Sequence, residues 1–102
     1  MKVVVIGSIN GTQHDMEAAV KFFERFEGIE TVSALDLQDR PLIYTQRVMV
    51  QRIKEADLIV VVPKNRVCSD LPNETIYEVE FGESTSYEIA MAREFRKEIV
   101  VW

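Results

Sequence analysis

Four short apolar runs punctuate this chain, and stretches of helical periodicity lie between them. Lys2 leads into Val3-Val4-Val5-Ile6, a continuous β-branched run that predicts a central strand buried on both faces. Gly7-Ser8-Ile9-Asn10-Gly11-Thr12 reads as a turn. From Asp15 to Glu27, the residues Met16, Ala19, Val20, Phe23 and Phe26 fall on one helical stripe, and Gly28 is a natural stop. Residues 30–35 give a second, weaker strand, followed by a polar loop over 36–40. Pro41 can open a second helix, with Gln46, Met49, Val50, Ile53 and Ala56 on its inner face. Residues 58–62 form a third buried strand closed by Pro63. A last helix over 84–96 leads into a final strand, 99–102.

Residues 64–82 break this rhythm. They are polar, but Tyr77, Val79 and Phe81 alternate, which predicts an extra edge strand over 75–81 or an ordered flap, since a bare loop of this length is unusual. The order β-α-β-α-β-insert-α-β calls for a parallel sheet with right-handed crossovers and helices on both faces. The expected architecture is a flavodoxin-like, three-layer α/β sandwich with strand order 2-1-3-4. In such a sheet the loop after Ile6, the loop after Val62 and the start of the last helix meet at one edge, where ligands bind.

Composition narrows the class of partner. At 102 residues the chain is expected to be one domain, 1–102, with 47% apolar residues to build a core. A net charge of −5 with acids and bases interleaved leaves no basic stripe for a nucleic-acid duplex. Cys68 is the single cysteine, so no internal disulfide can form, and a reducing cytoplasm is the expected compartment. No apolar run reaches the length of a signal peptide or a membrane span.

The stretch richest in candidate chemistry is Gly82-Glu83-Ser84-Thr85-Ser86-Tyr87-Glu88-Ile89. Thr85-x-x-Glu88 has the spacing of a capping box, in which Glu88 reaches back to the backbone N–H of residue 85. The same spacing gathers hydroxyls and a carboxylate at the positive end of a helix dipole, beside a strand end. Elsewhere the plainer readings hold. Ser8, Asn10 and Thr12 are turn residues, Asp57 marks a helix-to-strand corner, Met49 is core or pocket wall, and Tyr44 and Tyr77, which could stack on a base, read first as buried aromatics. His14 has no second His or Cys nearby, so neither a metal nor another cofactor is expected.

Three segments, in order, carry a resemblance. They are Ile6-Gly7-Ser8-Ile9-Asn10-Gly11, Glu55-Ala56-Asp57-Leu58-Ile59-Val60 and Ser84-Thr85-Ser86-Tyr87-Glu88-Ile89. Together they resemble the nucleoside 2-deoxyribosyltransferase superfamily, including its 2'-deoxynucleoside 5'-phosphate N-hydrolase branch. The resemblance implies that Glu88 is a nucleophile attacking the anomeric carbon of a nucleoside or nucleotide. A glycosyl-enzyme ester would then pass to a base or to water. It also implies that Gly7, Ser8, Ile9, Asn10 and Gly11 line a sugar-phosphate pocket, that Ser84, Thr85 and Ser86 hold sugar or phosphate, and that Tyr87 shapes the wall.

The sequence departs from the family pattern at several points. Met49 stands where an acid is usual, with Asp36 and Asp39 the nearest substitutes. Ser84 and Ala90 replace usual glycines, and the 64–82 segment is longer than typical. The family also continues past the equivalent of Trp102 with a further strand and helix. Two functions follow as expectations: N-glycosidic cleavage or transfer centred on Glu88, or a catalytically silent module of the same fold that binds a nucleotide or a protein. In either case the exposed edge of the last strand predicts a homodimer or higher homo-oligomer.

Overall fold

The computed structural model describes the whole chain apart from Ser8, Lys64, Pro72, Asn73, Phe81 and Gly82; for residues 9–12, 65–71, 74–80 and 83 it describes the backbone. The elements in order are β1 (Lys2–Gly7), α1 (Ile9–Glu24), β2 (Glu30–Ser33), a 3-10 turn (Leu35–Leu37), α2 (Leu42–Glu55), β3 (Leu58–Val62), β4 (Asn65–Leu71), β5 (Glu74–Glu80), α3 (Glu83–Glu94) and β6 (Glu98–Val101). Four strands form an all-parallel sheet in the order β2-β1-β3-β6. This is the expected 2-1-3-4 arrangement, with β6 as its fourth strand.

Strand β1 sits at the centre because it has no polar side. Val3, Val4, Val5 and Ile6 are all completely buried. Alternation along the strand sends Val4 and Ile6 to one face, with Ile59 and Val61 of β3, Met49 and Ile53 of α2, and Ala92 of α3. Val3 and Val5 face the other way, with Val60 and Val62 of β3 and Met16 and Ala19 of α1. Helices α2 and α3 therefore share one face of the sheet, and α1 covers the other.

Asp57 is more than a corner. The Lys2 amide donates to Asp57 Oδ2 at 2.7 Å, and the Asp57 amide donates to the Lys2 carbonyl at 2.8 Å. These bonds tie the starts of β1 and β3 together and set the register in which Gly7 lies beside Val62. On the opposite edge, Arg52 of α2 makes two bonds of 2.8 Å to the carboxylate of Asp36 and also donates to the Ser33 carbonyl. This bidentate pair pins the 3-10 turn after β2 against α2 and holds the Asp36 carboxyl below its usual range.

Several expected boundaries move. Helix α1 starts at Ile9, so the anticipated turn over residues 7–12 shrinks to the step between β1 and α1. It also ends at Glu24, which leaves Phe26 in the following turn and about half exposed at 49%. Gly28, with φ +81°, supplies the left-handed residue that stops this region. Strand β2 ends at Ser33, because Leu35 to Leu37 curl into the 3-10 turn. Tyr44, expected to be buried, is 48% exposed at the start of α2.

The 64–82 segment is the largest correction. It holds two strands, β4 and β5, paired antiparallel with each other from Asn65↔Glu80 to Leu71↔Glu74, and they form a sheet of their own. The alternation over 75–81 does mark a strand, but that strand adds to β4 and not to the edge of the main sheet. Phe81, grouped with Tyr77 and Val79, lies outside the described residues. The sheet edge is instead β6, where Val100 and Val101 are exposed. No described helix is long and apolar enough to cross a membrane.

Gly7 offers a direct test of the register. A Cβ built there would stand 3.0 Å from the Val62 carbonyl oxygen, 3.2 Å from Val62 Cβ and 3.3 Å from Met16 Sδ. The first of these is backbone and cannot swing aside. Gly7→Ala is expected to cost about 1–3 kcal/mol through overpacking, read as a lower midpoint in chemical denaturation.

Candidate active site

Three element ends converge at the C-terminal edge of the sheet. Strand β1 stops at Gly7, one residue before α1 begins; β3 stops at Val62, followed by the buried Pro63. Helix α3 leads into β6, which is parallel to both strands, so α3 runs back across the sheet with its first turns at this edge. Its sheet-facing side carries Thr85, Glu88 and Ala92, spaced by three and four residues, and all three are buried.

Glu88 is the buried acid of this arrangement. Its side chain is 7% exposed, and among the described residues nothing donates to its carboxylate. Burial alone pushes its pKa up from 4.5 to about 7. The capping box expected from Thr85 and Glu88 does not form. Helix α3 begins at Glu83, which puts Thr85 inside the first turn, and Thr85 Oγ1 is buried without a hydrogen-bond partner. One helix face thus holds two buried polar groups, and the Thr85 hydroxyl has no partner among the described residues. A capping carboxylate would instead have spent its oxygens on its own backbone.

The other anticipated residues divide. Ser84, Ser86 and Tyr87 are exposed, with Tyr87 at 47%. Gly7 ends β1 against Val62. Ile9, Asn10 and Gly11 form the first turn of α1, with side chains outside the described set, and Ser8 lies wholly outside it. Met49 is completely buried in the core and brings no acid. Asp36 is engaged by Arg52, and Asp39 is exposed. His14 is exposed, and the described residues contain no group of three metal-ligating side chains.

An additional feature escaped the sequence reading. An open groove of about 370 Å³ is lined by Ile43, Gln46, Arg47 and Val50 of α2 and by Tyr87 of α3. The α2 residues follow the i, i+3, i+4, i+7 spacing of one helical stripe, displaced from the core stripe of Met49, Ile53 and Ala56. Gln46 and Val50, expected among the core residues, line this groove and are half-buried. The stripe is legible as a pattern, but assigning Gln46 and Val50 to the inner face merges it with the core stripe.

No protein-family model matches the chain, and no curated protein matches it in sequence. Solved structures do share its fold. The CMP N-glycosidase BcmB of Clostridium botulinum superposes with a TM-score of 0.63 at 21% identity, over 97% of this chain and 69% of that one. A 2-desoxiribosyltransferase from Leishmania mexicana superposes with a TM-score of 0.66 at 13% identity, over 99% of this chain and 63% of that one. This chain therefore spans less than two thirds of the transferase and slightly more of the glycosidase.

The burial of Glu88 has a sign that can be measured. Its folded pKa of about 7 lies above the ordinary 4.5, so the stability it contributes is fully present below pH 4.5 and lost as pH rises through 7. At 1.36 kcal/mol per pKa unit the interval corresponds to ~3 kcal/mol. Glu88→Gln keeps the neutral shape at every pH. It is expected to unfold at the same denaturant midpoint as the parent at pH 4, and to be more stable at pH 8 by up to ~3 kcal/mol.

Proposed function

We propose that this chain cleaves or transfers the N-glycosidic bond of a nucleoside or nucleoside 5'-monophosphate, with Glu88 as nucleophile. The observation that carries the reading is a carboxylate buried on the sheet-facing side of α3, at the sheet edge, with no cation or backbone amide paired to it among the described residues. The fold shared with an N-glycosidase and a deoxyribosyltransferase supports it, as do the three segments that resemble their superfamily.

In this reading the ionised Glu88 attacks the anomeric carbon, a C–O ester bond forms, and the C–N bond breaks with its electron pair leaving on the base. Water or an incoming base then displaces Glu88 from the sugar, which returns the carboxylate and retains configuration. A dry carboxylate is a stronger base than a solvated one, and it holds its negative charge near a developing oxocarbenium ion. Thr85, buried and without a partner, is placed to bond a sugar hydroxyl or phosphate oxygen, with Ser84 and Ser86 around it and Tyr87 at the wall. Gly7, Ser8, Ile9, Asn10 and Gly11 complete the pocket from the β1–α1 step. The whole of 1–102 acts as one domain, in the cytoplasm.

A second reading has its own observation. Met49 fills the position of the expected acid with core, and Asp36 is held by Arg52, so no second carboxylate joins Glu88 among the described residues. This favours a silent module that binds a nucleotide without turning it over.

Chromatographic detection of free base, over nucleosides, their 5'-monophosphates and added acceptor bases, separates the two. Base release by the parent is expected to fall at least a hundredfold in Glu88→Ala and Glu88→Gln, both folded by circular dichroism. Because the nucleophile must be ionised, kcat/KM is expected to rise with pH through about 7. Absence of release from every substrate, with melting temperature still raised by a nucleotide, would establish the binding module.

A further inference from the structure

A hydroxyl inside a helix ordinarily donates to a carbonyl of the preceding turn. Thr45 of α2 does so, bonding the Pro41 carbonyl four residues earlier at 3.3 Å. Thr85 of α3 does not. It is 1% exposed, and its Oγ1 has no partner among the described residues. Helix α3 begins at Glu83, so no helical carbonyl stands four residues before Thr85. An unpaired hydroxyl in this position weakens the fold, where a valine of the same shape would not.

Glu88 stands three residues on, buried on the same face of α3. Residues at this spacing have Cβ atoms about 5–6 Å apart. Helical side chains lean toward the N-terminus, so Glu88 leans over the turn that holds Thr85, and its flexible stem lets a carboxylate oxygen close the remaining distance. The elements packed on this face bring Val4 and Ile6 of β1, Ile59 and Val61 of β3, and Met49 and Ile53 of α2, all apolar. The described titratable groups lie elsewhere. On α2, Tyr44, Arg47, Lys54 and Glu55 are exposed, and Arg52 is engaged by Asp36. On α3 and β6, Tyr87, Arg93, Glu94 and Glu98 are exposed, and Lys2 of β1 pairs with Glu55. A protonated carboxyl carries its own O–H, but an ionised one can only accept, and it is then that a donor matters.

We infer that Thr85 is a positioning residue for Glu88: its hydroxyl donates to the Glu88 carboxylate when that group ionises, and so fixes the direction in which the charge points. A hydroxyl has one proton and two lone pairs. With the proton committed to Glu88, Oγ1 can still accept from a sugar hydroxyl but has nothing to offer a phosphate oxygen. This choice of ligand rests on the glycosidic function proposed above. The contact with Glu88 stands whether or not Glu88 is a nucleophile.

The test titrates the Glu88 side-chain carboxyl by carbon-13 NMR in the full chain and in Thr85→Val, Thr85→Ala and Thr85→Ser, with folding checked by circular dichroism. Removal of the hydroxyl in Thr85→Val is expected to raise the Glu88 pKa by about one unit, a tenfold change in its ionisation constant, because the charged form loses a donor. Thr85→Ala gives the same reading should the valine variant not fold. Thr85→Ser is expected to restore the parental value. A carboxyl that titrates alike with and without the hydroxyl, or one that serine fails to restore, would overturn the assignment and leave Thr85 as a filler of space. Base release from the same variants keeps the function separate. If Glu88 is the nucleophile, the rise of kcat/KM with pH moves upward by the same unit in Thr85→Val. An NMR shift with no base release from any substrate would support the contact and refute the nucleophile.

Discussion

Everything at the candidate site depends on a strand with no exposed side. Burial of Val3, Val4, Val5 and Ile6 requires helices on both faces of β1 and a strand on each edge, and this makes β1 the point from which the chain departs in both directions. Strand β2 lies on one side and β3 on the other, so the chain leaves a crevice at the end of β1. The two bonds between Lys2 and Asp57, one from the Lys2 amide to the Asp57 carboxylate and one between backbones, fix the far end of this crevice by setting the register of β1 against β3. Gly7 then lies beside Val62, where an added Cβ would stand 3.0 Å from the Val62 carbonyl oxygen and crowd it.

Glu88 works against that packing. Its face of α3 packs on an apolar core, with Ala92 completely buried in the cluster around Ile6, Met49 and Ile59 and Thr85 one turn before Glu88. An alanine or leucine at 88 would satisfy the same geometry without the desolvation cost. Asp36, an exposed structural carboxylate, pairs with Arg52 and its pKa falls. Glu88 moves the other way, with burial as the cause. A group that weakens the fold at neutral pH and binds no described neighbour is more readily understood through what it could bind or attack than through what it holds together.

The sheet order, the two helix-covered faces and the strand positions were legible because each rests on runs that have a single physical solution. A β-branched run such as Val3 to Ile6 buries on both sides or not at all. Helix termini were less legible. Thr85-x-x-Glu88 satisfies the capping pattern, but α3 starts at Glu83, two residues earlier, and once Thr85 is inside the helix the box has no box-shaped place to form. Gly11 suggested a turn, whereas the first turn of α1 accommodates it at a modest cost in propensity. The hairpin was half visible: the alternation in β5 can be read, but β4, Asn65-Arg66-Val67-Cys68-Ser69-Asp70-Leu71, has too few apolar residues to announce itself. Its existence follows from pairing with β5, which no local pattern records.

The contrast between Glu88 and Met49 shows why a shared fold does not fix the chemistry. A glycosidase that divides its work between two carboxylates needs one ionised and one protonated, and their mutual repulsion separates the two pKa values. Here α2 contributes a completely buried methionine to the core shared by the two helices, and an acid in its place would be a second desolvated charge with no described cation to meet it. One carboxylate alone has a single ionisation. Under the proposed glycosidic function the base would have to take its proton from solvent or leave as an anion, which would select for bases that are good leaving groups. Under the proposed function, a buried methionine at 49 would bear less on whether Glu88 can attack than on which glycosidic bonds would yield to it.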